Sequence, residues 1–436
     1  MKFGNASTKT RPLLIAIVLV ALALRLANAI LIPGQGPDPV FSDMQAYDRS
    51  AMAMVQQTPL PVHTAERYLY HPLGSDTYHP PGYYYFLAGI YAIFGHSYTA
   101  VRIIQAFMDT MTVLLIFGIG HLAFGNPAGL IAAAAAAIYP PLIYYSGVLL
   151  TECLSTFLLA ASVWLTLCSA RAGQRGQFRA LLLSGLFLGL GALARSVLLA
   201  VVPALLLWRL FVAERWKGWQ RATRLTLAVA LPALLTITPV TYRNYQIHHR
   251  FVLIATNGGV NFYLGHGGTQ QTKDQVRGLA QLPAGSSMVG IVNHTEPEEE
   301  GLFYRLGIDY VLEHPKAYLR SLPAKFVEVY WTSYYWPSVR PLATCLLNMD
   351  VIFWKALVLP LALLGLLIYC KPRRCPAALL ALAVMSTAVV PLVFWAQPRY
   401  RMPVLPCFIP LAAGSVTELY ARIKRRTLSE TENRMV

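Results

Sequence analysis

Pro80-Pro81-Gly82-Tyr83-Tyr84-Tyr85-Phe86-Leu87-Ala88-Gly89-Ile90-Tyr91-Ala92-Ile93-Phe94 is the stretch on which the topology turns. It is apolar but only about 15 residues long, and a helix needs about 20 to cross the hydrocarbon core. Its tyrosines, Tyr83, Tyr84, Tyr85 and Tyr91, are rings with a polar tip, which favour headgroup depth. The segment is therefore expected to lie flat in a membrane interface. Outward from it, the chain is 56% hydrophobic and 13% charged, against about 25% charged in an ordinary soluble domain. A chain this apolar needs lipid as solvent.

About ten runs are long or apolar enough to be read as spans. The first is Leu13 to Leu31, too long for a signal-peptide core and read as an uncleaved helix. Others fall at 100–123, 127–145, 149–170, 179–194, 197–212 and 225–241, and then at 349–370, 376–395 and 403–420. The expected fold class is an all-α polytopic membrane protein with an outer juxtamembrane loop and a small extracytoplasmic α or α+β region. Three parts follow: 1–241, including a first outer loop 33–99; a polar region 242–348; and 349–436, the last helices with a basic tail.

The net charge is +16, but the basic residues sit in short clusters between apolar runs. No basic face or reading motif points to nucleic acid. Arg171, Arg175 and Arg179; Arg215, Lys217, Arg221 and Arg224; Lys371, Arg373 and Arg374; and Arg422, Lys424, Arg425 and Arg426 are such clusters. All can be cytoplasmic together only if 80–94 does not cross. Both termini are then cytoplasmic, in a bacterial inner membrane. The loop 33–99, the turn at Ser146–Thr151, Arg195, the region 242–348 and Gln397–Arg401 face outward. The six cysteines lack metal spacing, and so do His248, His249, His266, His294 and His314.

That sidedness gathers Asp43 and Glu152 with Arg102, Arg195, Arg243, Arg399 and Arg401 on one face. Cations there run against the positive-inside trend. Each could snorkel or pair with a carboxylate, or all could share an anionic ligand, since the planar guanidinium donates two parallel bonds to phosphate. Asp43 could be a general base or could start a short helix over Met44–Gln56. Asp48 reads as a solvated position on that helix. Glu152 could orient an acceptor or bind a cation, or could simply sit well in a first helical turn. Asp109 lies within a span, and its expected role is support by pairing with a neighbouring arginine of the site. His79 is either a phosphate donor or a turn residue. Glu298-Glu299-Glu300 reads as a solvated helix start.

Ser42-Asp43-Met44, Tyr78-His79-Pro80-Pro81-Gly82-Tyr83-Tyr84, Ala100-Val101-Arg102-Ile103, Thr151-Glu152 and Leu193-Ala194-Arg195 follow one another in an order that resembles a known class. Pro239 to Asn244, Thr256 to Asn261, Glu313 to Leu319 and the distinctive Gln397-Pro398-Arg399-Tyr400-Arg401-Met402-Pro403 extend the resemblance. The class is the GT-C polyprenyl-phosphate-dependent membrane glycosyltransferases. The bacterial branch related to protein O-mannosyltransferases and lipid A aminoarabinose transferase is the most similar. Members often carry two adjacent acids where this chain has Asp43 and Met44. The aminoarabinose transferase has a lysine where this chain has His79.

The resemblance implies sugar transfer from a polyprenyl-phosphate donor to a hydroxyl acceptor, with inversion. Asp43 would be the base and Glu152 the second acid. His79, Arg102, Arg195, Arg399 and Arg401 would hold the lipid phosphate. Asp109, Tyr83, Arg243, Asn244 and Asn257 would support the site. A divalent cation is compatible with this set, and none is required by it. The competing reading is a transporter or flippase of lipid-linked sugars, which would favour repeats and broken helices at the midplane; a non-catalytic assembly subunit is a third. One cavity shared by Asp43, Glu152 and the arginines separates the enzyme from both.

Overall fold

The computed structural model describes residues 10–31, 43–57, 77–208, 218–266, 296–332, 349–369 and 375–435, and every regular element among them is helical. In chain order they are α1 (Thr10–Leu31), α2 (Asp43–Gln56), α3 (Gly82–Phe94), α4 (Tyr98–Phe124), α5 (Asn126–Ile138), α6 (Pro140–Ser146), α7 (Thr151–Ser169) and α8 (Gln174–Ala194). Then come α9 (Ser196–Leu207), α10 (Trp219–His248), α11 (Gly258–His266), α12 (Glu296–Glu313), α13 (Pro315–Trp331), α14 (Met349–Tyr369) and α15 (Cys375–Val393). A 3-10 turn, Pro398–Val404, leads into α16 (Leu405–Met435).

Among the described residues, eight helices are long and apolar enough to cross a membrane. α5 with α6, bent by 55°, makes a ninth if the bent pair counts as one span. The bend has a local cause: Tyr139 is extended and Pro140 follows, so the ring closes off the helical amide ladder at that point. Of the expected span at 197–212, residues 209–212 lie outside the described residues. Its described part, Ser196–Leu207, is a shorter apolar helix that opens as 3-10. The described part of 242–348 is three helices, with no strand among the described residues.

α7 lies at the centre and α1 at the rim. α4 packs on α1, α5, α7 and α16; α7 packs on α8, and α8 on α10. The α8–α10 seam is close because α8 presents Gly185 and Gly189 to it. A Cβ at Gly189 would stand 2.8 Å from the Ala233 carbonyl oxygen. Small residues permit such contact where lipid gives helices no hydrophobic reason to associate.

α3 is too short to cross and packs chiefly on α2. Its first residue rests on the end of α8: a Cβ at Gly82 would lie 2.6 Å from the Ala194 amide nitrogen. Backbone meets backbone there, which only glycine permits. The end of α8 and the starts of α2, α3, α7 and the 3-10 turn thus bring the candidate residues to one end of the bundle.

Candidate active site

Asp43 is the first residue of α2. Its Oδ2 accepts from Arg399 Nη1 at 2.7 Å. Arg399 sits in the 3-10 turn, where Gln397 Oε1 accepts from its Nε at 2.5 Å. Glu152 lies in the first turn of α7, where the helix dipole favours a carboxylate. Its Oε1 accepts from Arg195 Nη1 at 2.6 Å, and Thr151 Oγ1 accepts from the same nitrogen at 3.2 Å. Arg195 ends α8 in extended backbone, so the side chain leaves the helix towards α7. Its guanidinium carbon stands 5.0 Å from the Tyr400 ring centre. Tyr400 therefore joins the two pairs: it follows Arg399 in sequence and stacks on Arg195.

Tyr47, one turn beyond Asp43 on α2, packs its ring 5.1 Å from His79 and 5.1 Å from Tyr83. Burial, then the Asp43 charge, raises the Tyr47 phenol well above its usual range. It stays a neutral donor. Burial, the largest single influence, would raise the Asp43 carboxyl, but the Arg399 guanidinium together with His79 and Arg195 outweighs it, and the carboxyl sits below the usual range. Burial draws His79 below 6.5, more than the Asp43 charge restores. His79 is therefore neutral at neutral pH.

One atom is left over. Glu152 Oε2 is buried and has no hydrogen-bond partner among the described residues. Buried carboxylate oxygens are normally satisfied, so this one marks where a polar ligand atom would be welcome.

Of the other candidates, several have different work. Arg401 is corrected: although two residues from Arg399, it donates to Asp350 Oδ2 at 2.5 Å and to the carbonyls of Val329 and Thr332 at 3.0 and 2.8 Å. Both Arg401 and Asp350 are at most 1% exposed, and Tyr139 donates to Asp350 as well. This network anchors the 3-10 turn. Asp109 pairs with Arg25 of α1 at 2.6 Å, inside the bundle, and not with an arginine of the lip. Arg25 also donates to the carbonyls of Ala21, Ala136 and Ala137.

Tyr83 donates to Gln105, which holds the Ser146 and Val148 carbonyls. Asn244 fastens the loop after α10 through the carbonyls of Val252 and Ile254, and Arg243 donates to Asn244 at 3.4 Å. The Asn257 carbonyl accepts from Asn261 at the start of α11. Arg102 is buried in the first turns of α4, near Tyr98.

Sequence reasoning missed the role of Asp48. It is buried, and accepts from Tyr91 at 2.6 Å and Tyr98 at 3.0 Å, with the His96 ring at 2.8 Å. It clamps α2, the helix that carries Asp43, to the end of α3 and the start of α4. The cluster of Tyr91, His96 and Tyr98 was a visible signal, because three polar rings beside a membrane need an acceptor. Glu300 is corrected as well. It is not a solvated helix start but accepts from the amides of Gly258 and Gly259, and burial raises it to about 7.

Residues 78–242 match the family described as dolichyl-phosphate-mannose-protein mannosyltransferase. That segment carries His79, Arg102, Glu152 and Arg195. A comparison with curated proteins finds no match. The chain shares its fold with solved structures. It superimposes on the archaeal oligosaccharyltransferase AglB from Archaeoglobus fulgidus, in complex with an inhibitory peptide and a dolichol-phosphate, with a TM-score of 0.59 at 16% identity, over 98% of this chain and 52% of that one. The apo form of the Archaeoglobus fulgidus enzyme gives 0.58 at 16% identity over 96% and 52%. ArnT from Cupriavidus metallidurans bound to undecaprenyl phosphate gives 0.43 at 14% identity over 92% and 78%. The chain spans about half the length of the archaeal enzyme.

Proposed function

We propose that this chain is a membrane glycosyltransferase that moves a sugar from a polyprenyl-phosphate donor to a hydroxyl acceptor. The observation that carries the reading is the joining of Asp43–Arg399 to Glu152–Arg195 through Tyr400, with Glu152 Oε2 buried and unpartnered among the described residues. The matched family supports the donor class, and AglB is itself described with a dolichol-phosphate.

The acceptor oxygen attacks the anomeric carbon, and its proton passes to Asp43. The bond from that carbon to the phosphate oxygen breaks, leaving a polyprenyl phosphate monoester with inverted sugar configuration. Arg399 and Arg195 neutralise the charge that grows on the leaving phosphate. Neutral His79 adds a hydrogen bond and no charge. Glu152 Oε2 takes a hydrogen bond from the acceptor and orients it. Asp43 is ionised at working pH, and Arg399 turning to the phosphate frees it as a stronger base. Both acids face a guanidinium, an arrangement that suits an anionic leaving group.

The basic loops support the orientation. Arg171, at the far end of the bundle from Asp43, donates to the Leu122 carbonyl at the end of α4. With that end cytoplasmic, the site faces outward from a bacterial inner membrane. The test is transfer in membranes supplied with a labelled polyprenyl-phosphate sugar, wild type against Asp43→Asn. Loss of transfer supports Asp43 as base; undiminished transfer removes it.

A further inference from the structure

Beside the lip, α11, α13 and the end of α15 meet in a second polar place that the transfer chemistry does not use. The Trp395 amide donates to the Asn261 carbonyl at 2.8 Å. The α11 backbone lies so close that a Cβ at Gly265 would stand 2.6 Å from the Phe394 carbonyl carbon. Lys325 of α13 reaches into this junction and is 8% exposed. Its Nζ donates to the Leu392 carbonyl at 3.0 Å and stands 5.5 Å from the Tyr318 ring centre. An ammonium has three donors, and among the described residues this one has a single acceptor and no carboxylate.

His266 closes the other side. Its Nδ1 meets the Phe262 carbonyl at 2.6 Å, its ring packs 5.0 Å from Tyr318 and 4.2 Å from Phe262, and its second nitrogen has no partner among the described residues. Two basic groups thus share a buried corner with no counter-charge among the described residues. Burial pushes Lys325 down to about 8, and burial followed by the Lys325 charge lowers His266. Burying a cation unpaired is unfavourable, and an anion seated beside it would relieve that cost. Leu392 is seven residues before Arg399, at most about 25 Å of chain away. That is within the span of a few sugar units reaching from the proposed transfer site.

We propose that Lys325 Nζ and the His266 ring, framed by Tyr318, form a subsite for an oxyanion, carboxylate or phosphate, carried on a sugar of an acidic acceptor. This rests on the glycosyltransferase reading for the word acceptor alone. The aromatic frame suits the apolar face of a sugar, and the two nitrogens suit its charged substituent.

The purified full chain in neutral detergent is titrated with glucuronate, glucose 6-phosphate and glucose, followed by tryptophan fluorescence. Trp395 and Trp331 flank the corner in sequence. Glucuronate or glucose 6-phosphate is expected to saturate at a concentration at least tenfold below glucose. Lys325→Met raises that concentration tenfold or more, and Lys325→Arg holds it within threefold. Equal binding by wild type and Lys325→Met overturns the subsite. Should Lys325→Met fail to accumulate, His266→Gln carries the titration: a threefold rise supports the subsite, and no change overturns it. Displacement of both probes by phosphatidylglycerol in mixed micelles, at a lower concentration than either probe, assigns the corner to a lipid headgroup and overturns the acceptor assignment. Binding is read without transfer, so failure here and failure of the Asp43 assay are separate results.

Discussion

Inside the bundle, Arg25 and Asp109 meet at 2.6 Å with both side chains at most 1% exposed; at the lip, Arg399 and Asp43 meet at 2.7 Å while 18% and 21% exposed. The distances hardly differ, but the surroundings do. Arg25 donates to three carbonyls besides its acid, and Arg401 bonds Asp350 and two carbonyls. No polar side-chain atom of Arg25 or Asp109 is buried without a hydrogen bond among the described residues, and that pair acts as a rivet. The lip pairs are open: Glu152 keeps an oxygen without a partner among the described residues, and Arg399 and Arg195 both border Tyr400. An arginine pair close to a membrane is thus read by what remains unsatisfied around it.

The comparison breaks first at the rivet. Arg25→Leu strands Asp109 where no water reaches it, and losing one partner of a buried pair costs about 3–5 kcal/mol. Folded protein in membranes and the melting temperature in detergent should both fall sharply. Arg25→Leu with Asp109→Leu should recover much of the loss, because two apolar groups need no pairing. Next comes the lip. Asp43→Asn should slow transfer by about 10²–10⁴-fold, the usual worth of a general base, with little change in melting temperature. A melting loss as large as that of Arg25→Leu would erase the distinction between the two regions.

Acidity sharpens it further. Because Asp43 lies below the usual carboxylate range, transfer should persist as pH falls from 7 towards 5. It should decline only as pH falls through that lowered value. His79, already neutral at pH 7, should tolerate His79→Gln within about threefold in kcat/KM, the loss of one neutral hydrogen bond. The smallest effect lies outside the membrane. Burial raises Glu300 to about 7 from an unfolded value of 4.5. Its protonated form is favoured in the fold, so this contribution is complete below 4.5 and is lost as pH rises through about 7. Glu300→Gln should raise the melting temperature by a few degrees at pH 8 and leave it unchanged at pH 4.5.

Much of this was legible in the sequence because lipid imposes a harsh code. Runs such as 100–123 and 149–170 correspond to α4 and α7, and the short tyrosine-rich run 80–94 corresponds to α3, which is too short to span. Asp43, Glu152, Arg195 and Arg399 were singled out by sidedness, since charges at the ends of spans are few. What escaped were partners, because pairing is a property of neighbours in space. Arg25 sat unremarked within an apolar run, although Asp109 in another run was its natural complement. Asp350 lay unremarked at the start of the expected span 349–370. Arg399 and Arg401, two residues apart in one motif, looked equivalent; a 3-10 turn, with about three residues per turn, points them to different walls. Asp48 looked solvated because the helix pattern of α2 leaves that face undetermined until α3 is folded against it.

The seat of Gly82 on Ala194 has a mechanical consequence. His79 precedes α3 and Arg195 follows α8, yet each is within three residues of a backbone-to-backbone contact that no side chain cushions. Their separation is set by main-chain geometry, as on a rigid gauge, and not by how far a helix sinks or tilts in a thicker or thinner bilayer. Filling that contact with Gly82→Ala would shim the gauge open by part of an ångström, altering the spacing between two of the proposed phosphate-binding groups while leaving both in place.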